Sequence, residues 1–353
     1  MQFKPDWEEA QEHLVAWWEH SHYRRVTLAV RAPRPVDLPP LRAPADVQVR
    51  WLDPEYRIAA AERAFASTHF GGEAFPWFDA NIGPGSLALY LGSPGVLHET
   101  TVWYEPVADC VANLPKLRYD GQNEWWRANL RLVNEGMKRG TGRYLTSYPD
   151  LIENLDIVAS LIGTQPLLYA LIDDPGGVKR VNGEVNELYF RYYDALYELL
   201  DGPRLGTCFS AFQVWGPGRV AKLQCDFSAM ISPEMFREFV VPGLTEQVSR
   251  LDYAVYHLDG PHAVGHVGAL LDIPGVNAIQ WTPGAEAPGV EDECWWRMYR
   301  RILGGGKGLL LLGAAFDGVE ALARELGPDG VYIGTSAPSI EAADDLLARA
   351  TKW

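Results

Sequence analysis

The sequence predicts an α/β protein, a (β/α)8 TIM barrel of the kind in which parallel strands and helices alternate, and two observations carry that reading. From about residue 200 onward, short β-rich runs ending in Gly, Pro, Asp or Asn alternate with amphipathic stretches of helical length, the mark of βα units around a parallel sheet. The chain's 353 residues, 47% of them hydrophobic, suffice for the core of one such barrel with insertions, so a single domain over 1–353 is expected.

The elements follow in chain order. The N-terminal region, 1–70, elaborates the barrel with a helix over 6–20, a strand at 26–30, an extended connector over 32–47 and a helix over 54–68. The connector is proline-rich, and each Pro fixes φ and removes a donor. A strand is expected at 73–79, then an insertion over 97–107, read as a hairpin or lid around Trp103, and a helix over 123–139. A strand at 143–148 precedes helix over 153–199, interrupted near Pro175. Further strands are expected at 207–215, 253–259, 276–281, 308–314 and 330–336, with helices after Ser232, His262, Glu291, Phe316 and Ser339. Ser232-Pro233-Glu234 joins an N-cap hydroxyl to Pro at the first helical position, and Ser339 likewise precedes an acidic first turn. The segment GGGKG at 304–308 follows a helix and precedes a strand, the reverse of a phosphate cradle, and reads as a tight αβ turn.

Composition excludes several partners. A net charge of −15, from 31 Lys and Arg against 46 Asp and Glu, opposes nucleic acid and anionic membrane surfaces, both of which need clustered cations. No apolar run of spanning length or signal-peptide h-region is present, so a cytoplasmic location is the default. Cys110, Cys208, Cys225 and Cys294 are widely spaced and read as reduced thiols rather than a zinc knuckle or disulfide framework. The pairs Trp17-Trp18, Trp125-Trp126 and Trp295-Trp296 sit at helical positions and read as packing.

The candidate chemistry lies at the strand ends, which open onto the active site in a barrel of this class. His257 and Asp259 are two apart on one strand and project together, as a general acid–base pair or as metal ligands. Asp226 and Cys225, in the segment KLQCDFSAM, are read as a second carboxylate and a thiol on a loop of the same face. Asp150 offers a further carboxylate. Asp79, Asn81, Gln213, Trp215, Gln280 and Trp281 are the remaining polar or aromatic tips, and with Trp103 they suit a small polar substrate, since amides and carboxylates bond hydroxyls and indoles stack on sugar faces.

The run QCDFSAMISPEMFREFVVPGLTEQ, followed by a strand ending in YHLDG, resembles the superfamily of uroporphyrinogen decarboxylases and corrinoid methyltransferases over roughly residues 200–345. That resemblance implies a (β/α)8 barrel, and superfamily habit implies a homodimer. It also implies, for the methyltransferase branch, zinc on a His-x-Cys pair and a later Cys. Here the pair reads His257-Leu258-Asp259 and the later position offers Ala337, so the soft thiolates that activate a thiol on zinc are missing. An N-terminal segment like RQAGRY, expected of a heme-pathway decarboxylase, is also absent.

These residues support acid–base, lyase-like or metal-assisted chemistry on a small polar molecule, with methyl transfer the reaction the resemblance adds. Two rivals stand beside it: a carbohydrate hydrolase pairing carboxylates among Asp150, Asp226 and Asp259 with Trp215 and Trp281 as platforms, and a noncatalytic small-molecule-binding barrel.

Overall fold

A computed structural model describes residues 1–21 and 24–353. Its strands are β1 (Thr27–Pro33), β2 (Thr68–Gly72), β3 (Trp77–Asp79), β4 (Gly95–Leu97), β5 (Val102–Tyr104), β6 (Leu145–Ser147), β7 (Thr207–Phe209), β8 (Val214–Gly216), β9 (Val220–Gln224), β10 (Tyr253–Asp259), β11 (Ala278–Thr282), β12 (Gly308–Ala314) and β13 (Val331–Ser336). Seven of them form one sheet in the order β2-β1-β13-β12-β11-β10-β9. Every pair in that sheet is parallel except β1–β2. The strands β3 and β6 pair in parallel on their own, and β4–β5 and β7–β8 are antiparallel hairpins.

The fold is thus mixed α/β around a parallel central sheet, with helices over the connections, as right-packing βα units require. Its hydrogen-bond ladders stop at β2 and β9 and leave β3–β6 apart, so they do not trace a complete ring. Among the described residues no single helix is long and apolar enough to cross a membrane.

One end of the sheet is plugged. The N-terminal helix Trp7–Trp18 lies across the strand starts, where the Trp17 indole donates to the carbonyls of Leu309 and Gly330 and the Trp18 indole to that of Trp215. The buried rings of Trp17, Trp18, Trp7 and Trp215 pack together with the buried Tyr332 and the half-buried Tyr253. The opposite end, where the strands finish, carries the candidate site.

Beneath β1 a buried carboxylate staples the N-terminal region. Glu73 takes both Arg25 Nη atoms at 2.8 Å and the Leu28 amide at 2.6 Å, and His13 Nδ1 lies 3.0 Å away. Burial alone pushes its pKa up, but Arg25 and His13 outweigh that and hold it at about 2. A folded pKa below the ordinary Glu value of about 4.5 stabilises above pH 4.5 and loses that contribution as pH falls towards 2; 2.5 units correspond to about 3 kcal/mol. Glu73→Gln is therefore expected to lower Tm most near pH 7, with the gap from the parent narrowing below pH 4.5 in calorimetric melts. Gly72 at the same corner has φ of +58°, and a Cβ there would lie 2.1 Å from the Leu28 carbonyl, so only glycine fits where the end of β2 runs close against β1.

The differences from sequence expectation have local causes. The run expected as one strand over 207–215 is the hairpin β7–β8, reversed through Gln213 at φ +55°. The segment read as a loop at Lys222 to Gln224 is strand β9, hidden because a buried Lys and Gln break its apolar pattern. The strand expected at 73–79 is shortened to β3, with β2 ahead of it. Part of the connector coils into the helix Val47–Leu52, capped by the Asp46 carboxylate. The helical stretch over 153–199 breaks at Gly163 as well as before Pro175. The caps at Ser232 and Ser339 form as expected, each hydroxyl accepting an amide at 3.2 Å.

Candidate active site

Strand register fixes which residues share a face. Lys222 pairs with Val255, His257 with both Gln224 and Gln280, and Asp259 with Thr282. Opposed residues on paired strands point the same way and alternate along each strand. The ends of β9, β10 and β11 therefore present Lys222, Gln224, His257, Asp259, Gln280 and Thr282 on one face.

His257 is held by its neighbours. Gln280 donates its amide to the Trp281 carbonyl at 2.8 Å and the Thr282 hydroxyl at 2.9 Å, which leaves the Gln280 Oε1 to accept from His257 Nδ1. Nδ1 thus carries the proton, and the Nε2 lone pair faces Asp226, whose Oδ1 lies 4.0 Å away. Burial, and then the Lys222 ammonium, push the His257 pKa below its ordinary value, so the ring is neutral at neutral pH. The Phe212 ring packs 5.1 Å from the imidazole and covers one side of it.

Asp226 stands on a loop braced by a residue that sequence reading passed over. Asp156 accepts from the amides of Asp226 and Phe227, both at 2.8 Å, and from Gln224 Nε2 at 3.0 Å, while Gln224 also donates to Asp226 Oδ2 at 3.1 Å. Burial first, and then the negative charge of Asp156, raise Asp226 to about 7. Glu153 accepts from the Gln224 amide, and burial raises it to about 8. Against this acid cluster stands one buried cation, Lys222, whose Nζ lies 2.6 Å from Asp150 Oδ1 and also donates to Gln224.

The other expected residues are placed as follows. Asp79 accepts from Ser210 Oγ at 3.1 Å and from the Asn81 amide at 3.0 Å, and Asn81 Oδ1 accepts from the Asp150 amide at 3.1 Å, so this pair positions Asp150. Gln213 lies over the same face, its Oε1 within 4 Å of where a Gly334 side chain would begin, and its carbonyl accepts from the Tyr332 hydroxyl. Trp103, on the β4–β5 hairpin, is 62% exposed. Trp215 is buried in the floor, donating to the Leu205 carbonyl and edge-on to Trp7, which corrects its reading as a sugar platform. Trp281 is corrected likewise: neighbours on a strand face opposite sides, so with Gln280 inward Trp281 turns outward, buried against Trp295. Cys225 is buried with its thiol pushed up by desolvation, and packing accounts for it.

One ligand atom from each of Asp226, His257 and Asp259 lies within 4.8 Å of the others. The donor set fits a divalent ion: a neutral imidazole with a free Nε2 and two carboxylates are borderline to hard ligands. It does not fit a zinc–thiolate centre, because Cys225 stays outside the cluster and Ala337 supplies no sulfur. Lys222, Gln224, Glu153 and Asp156 were not singled out from sequence. The signal that could have found the first two was a Lys and a Gln two apart in an otherwise apolar run.

These elements define a mixed α/β protein with a parallel central sheet whose strand ends gather carboxylates around one imidazole. The backbone is similar to a solved structure, a methyltransferase from Methanosarcina mazei, with a TM-score of 0.62 and 12% identity over 97% of this chain and 98% of that one. No protein-family model matches, and neither does any curated protein. At that identity the likeness is one of fold.

Proposed function

We propose that this chain is a metal-assisted enzyme acting on a small polar substrate at the strand ends, with Asp226, His257 and Asp259 holding the ion. The observation that carries the reading is the convergence of those three donors within 4.8 Å. A bound divalent ion would supply Lewis acidity, polarising a substrate heteroatom. The chain's own groups set the rest: Gln280 fixes the His257 tautomer, Asp156 pins the Asp226 loop, and Lys222 pairs with Asp150 beside them.

The similar solved structure is a methyltransferase, which favours methyl transfer as the reaction class, in a form without zinc-bound thiolate. Closure of the strands into a (β/α)8 ring, with β3–β6 completing the wall, belongs to this reading. A carbohydrate hydrolase has less support, since both tryptophans it would use as platforms are buried.

Equilibrium dialysis against Zn2+, Mn2+, Co2+ and Mg2+ singly, followed by elemental analysis, tests the proposal. One ion per chain is expected for at least one metal, and none in His257→Ala; a parent chain that takes up none of them would overturn the reading. Gln280→Leu, which frees the imidazole to rotate and change tautomer, is expected to weaken the same metal by about tenfold to a hundredfold without unfolding the protein.

A further inference from the structure

A cavity of about 270 Å3 lies at the plugged end of the sheet, and none of the residues that line it belongs to the carboxylate cluster. It sits between the starts of β6 and β7, beside Trp7 of the N-terminal helix. Strand pairing explains the space. β6 ladders with β3 and β7 with β8, so no ladder draws β6 and β7 together. The Ser210 amide donates to the Ser147 hydroxyl at 2.9 Å and ties their far ends, which leaves the near ends to be filled by side chains.

The walls say what would fill it. Trp7, Tyr144 and Cys208 are buried there, and Met1, Met137 and Leu205 are half-buried, so two aromatic rings and three sulfur atoms belong to the lining. Burial pushes the Cys208 thiol well above its ordinary pKa and keeps it neutral. Arg204 is the charged side chain among the lining residues; it is 70% exposed and bonds Asp201 at 2.6 Å, which leaves it at the rim with its charge paired. A charged ligand would lose its hydration here without a countercharge to replace it.

Folded interiors hold few voids larger than a water molecule. An apolar cavity of ~150 Å3 stays dry and accepts a benzene ring, so 270 Å3 is room for a fused pair of rings. Thioether sulfur makes favourable contacts with ring edges, and unbranched Met side chains adapt to the outline of a guest.

We propose that this cavity is a second ligand site, which takes an uncharged fused-ring aromatic molecule of the size of indole at the end of the sheet opposite the metal cluster. The site stands on its own lining and does not rest on the reading of Asp226, His257 and Asp259.

Calorimetric titration of the full chain with indole, naphthalene and indole-3-carboxylate tests it in the parent, Met137→Trp and His257→Ala proteins. The parent is expected to bind indole or naphthalene and to bind the carboxylate at least about tenfold more weakly, because its charge would be buried unpaired. Met137→Trp fills the cavity from the last turn of the helix Glu124–Gly140. It is expected to lose about tenfold or more of the affinity, since the guest ring can no longer leave water. His257→Ala is expected to bind the neutral rings as the parent does, so failure of the metal cluster and failure of this site give different results. A parent chain that binds neither neutral ring would overturn the proposal, as would carboxylate binding as tight as that of indole. Undiminished binding in folded Met137→Trp, or its loss in His257→Ala, would put the ligand elsewhere and do the same. Should Met137→Trp fail to fold, anomalous scattering from 5-bromoindole in crystals of the parent decides: bromine between Met137 and Cys208 is the expected result, and bromine only at other positions would contradict it.

Discussion

Lys222→Ala is expected to be the most damaging single change in the polar end of the sheet, lowering stability by about 3–5 kcal/mol in denaturant melts, the range for removing one partner of a buried ion pair. The Lys222 side chain is 2% exposed and that of Asp150 13%, so water cannot replace the lost cation. Asp150 also faces Asp226 and Glu153, which burial first, and then neighbouring carboxylates including Asp156 and Asp150, have already raised to about 7 and about 8. Replacing the pair together, as Lys222→Met with Asp150→Asn, removes both charges and is expected to recover most of the loss. A double-mutant cycle with no coupling between the two positions would mean that the pair contributes nothing.

The second large effect concerns pH and metal. Asp226 titrates near 7 because burial and the charge of Asp156 disfavour its ionised form, and only that form is a good ligand. Below pH 7 a proton therefore competes with the ion, and metal affinity is expected to fall by about tenfold per pH unit until other ligands titrate. Above pH 7 the dependence on Asp226 flattens. Asp226→Asn should abolish the step near pH 7 and weaken the metal by about a hundredfold or more, whereas an unaltered pH profile in Asp226→Asn would remove Asp226 from the ligand set. Calorimetric metal titrations from pH 5.5 to 8.5 read both outcomes.

How much of this was legible in the residues depends on pattern. The later strands β10 to β13 are near-continuous apolar runs bounded by turn residues, so their positions follow from sequence, as does the projection of His257 with Asp259. Strand β9 did not follow, since alternation that brings Lys222 and Gln224 inward looks like a polar loop until Asp150 and Asp226 are known to meet them. Asp156 lies in a helix 70 residues before the amide it binds, and no local rule links the two. Trp215 and Trp281 mislead for a related reason. Trp281 adjoins Gln280 and Trp215 lies two residues after Gln213, and only the strand reversal at Gln213 and the facing of Gln280 reveal that the indoles turn into the core.

X-ray absorption at the metal edge of the loaded protein tests the central claim most directly. Asp226, His257 and Asp259 as ligands require nitrogen and oxygen neighbours only, at about 2.0–2.2 Å, with the outer scattering of a single imidazole. A sulfur shell at about 2.3 Å, or a spectrum unchanged in His257→Ala, would contradict it.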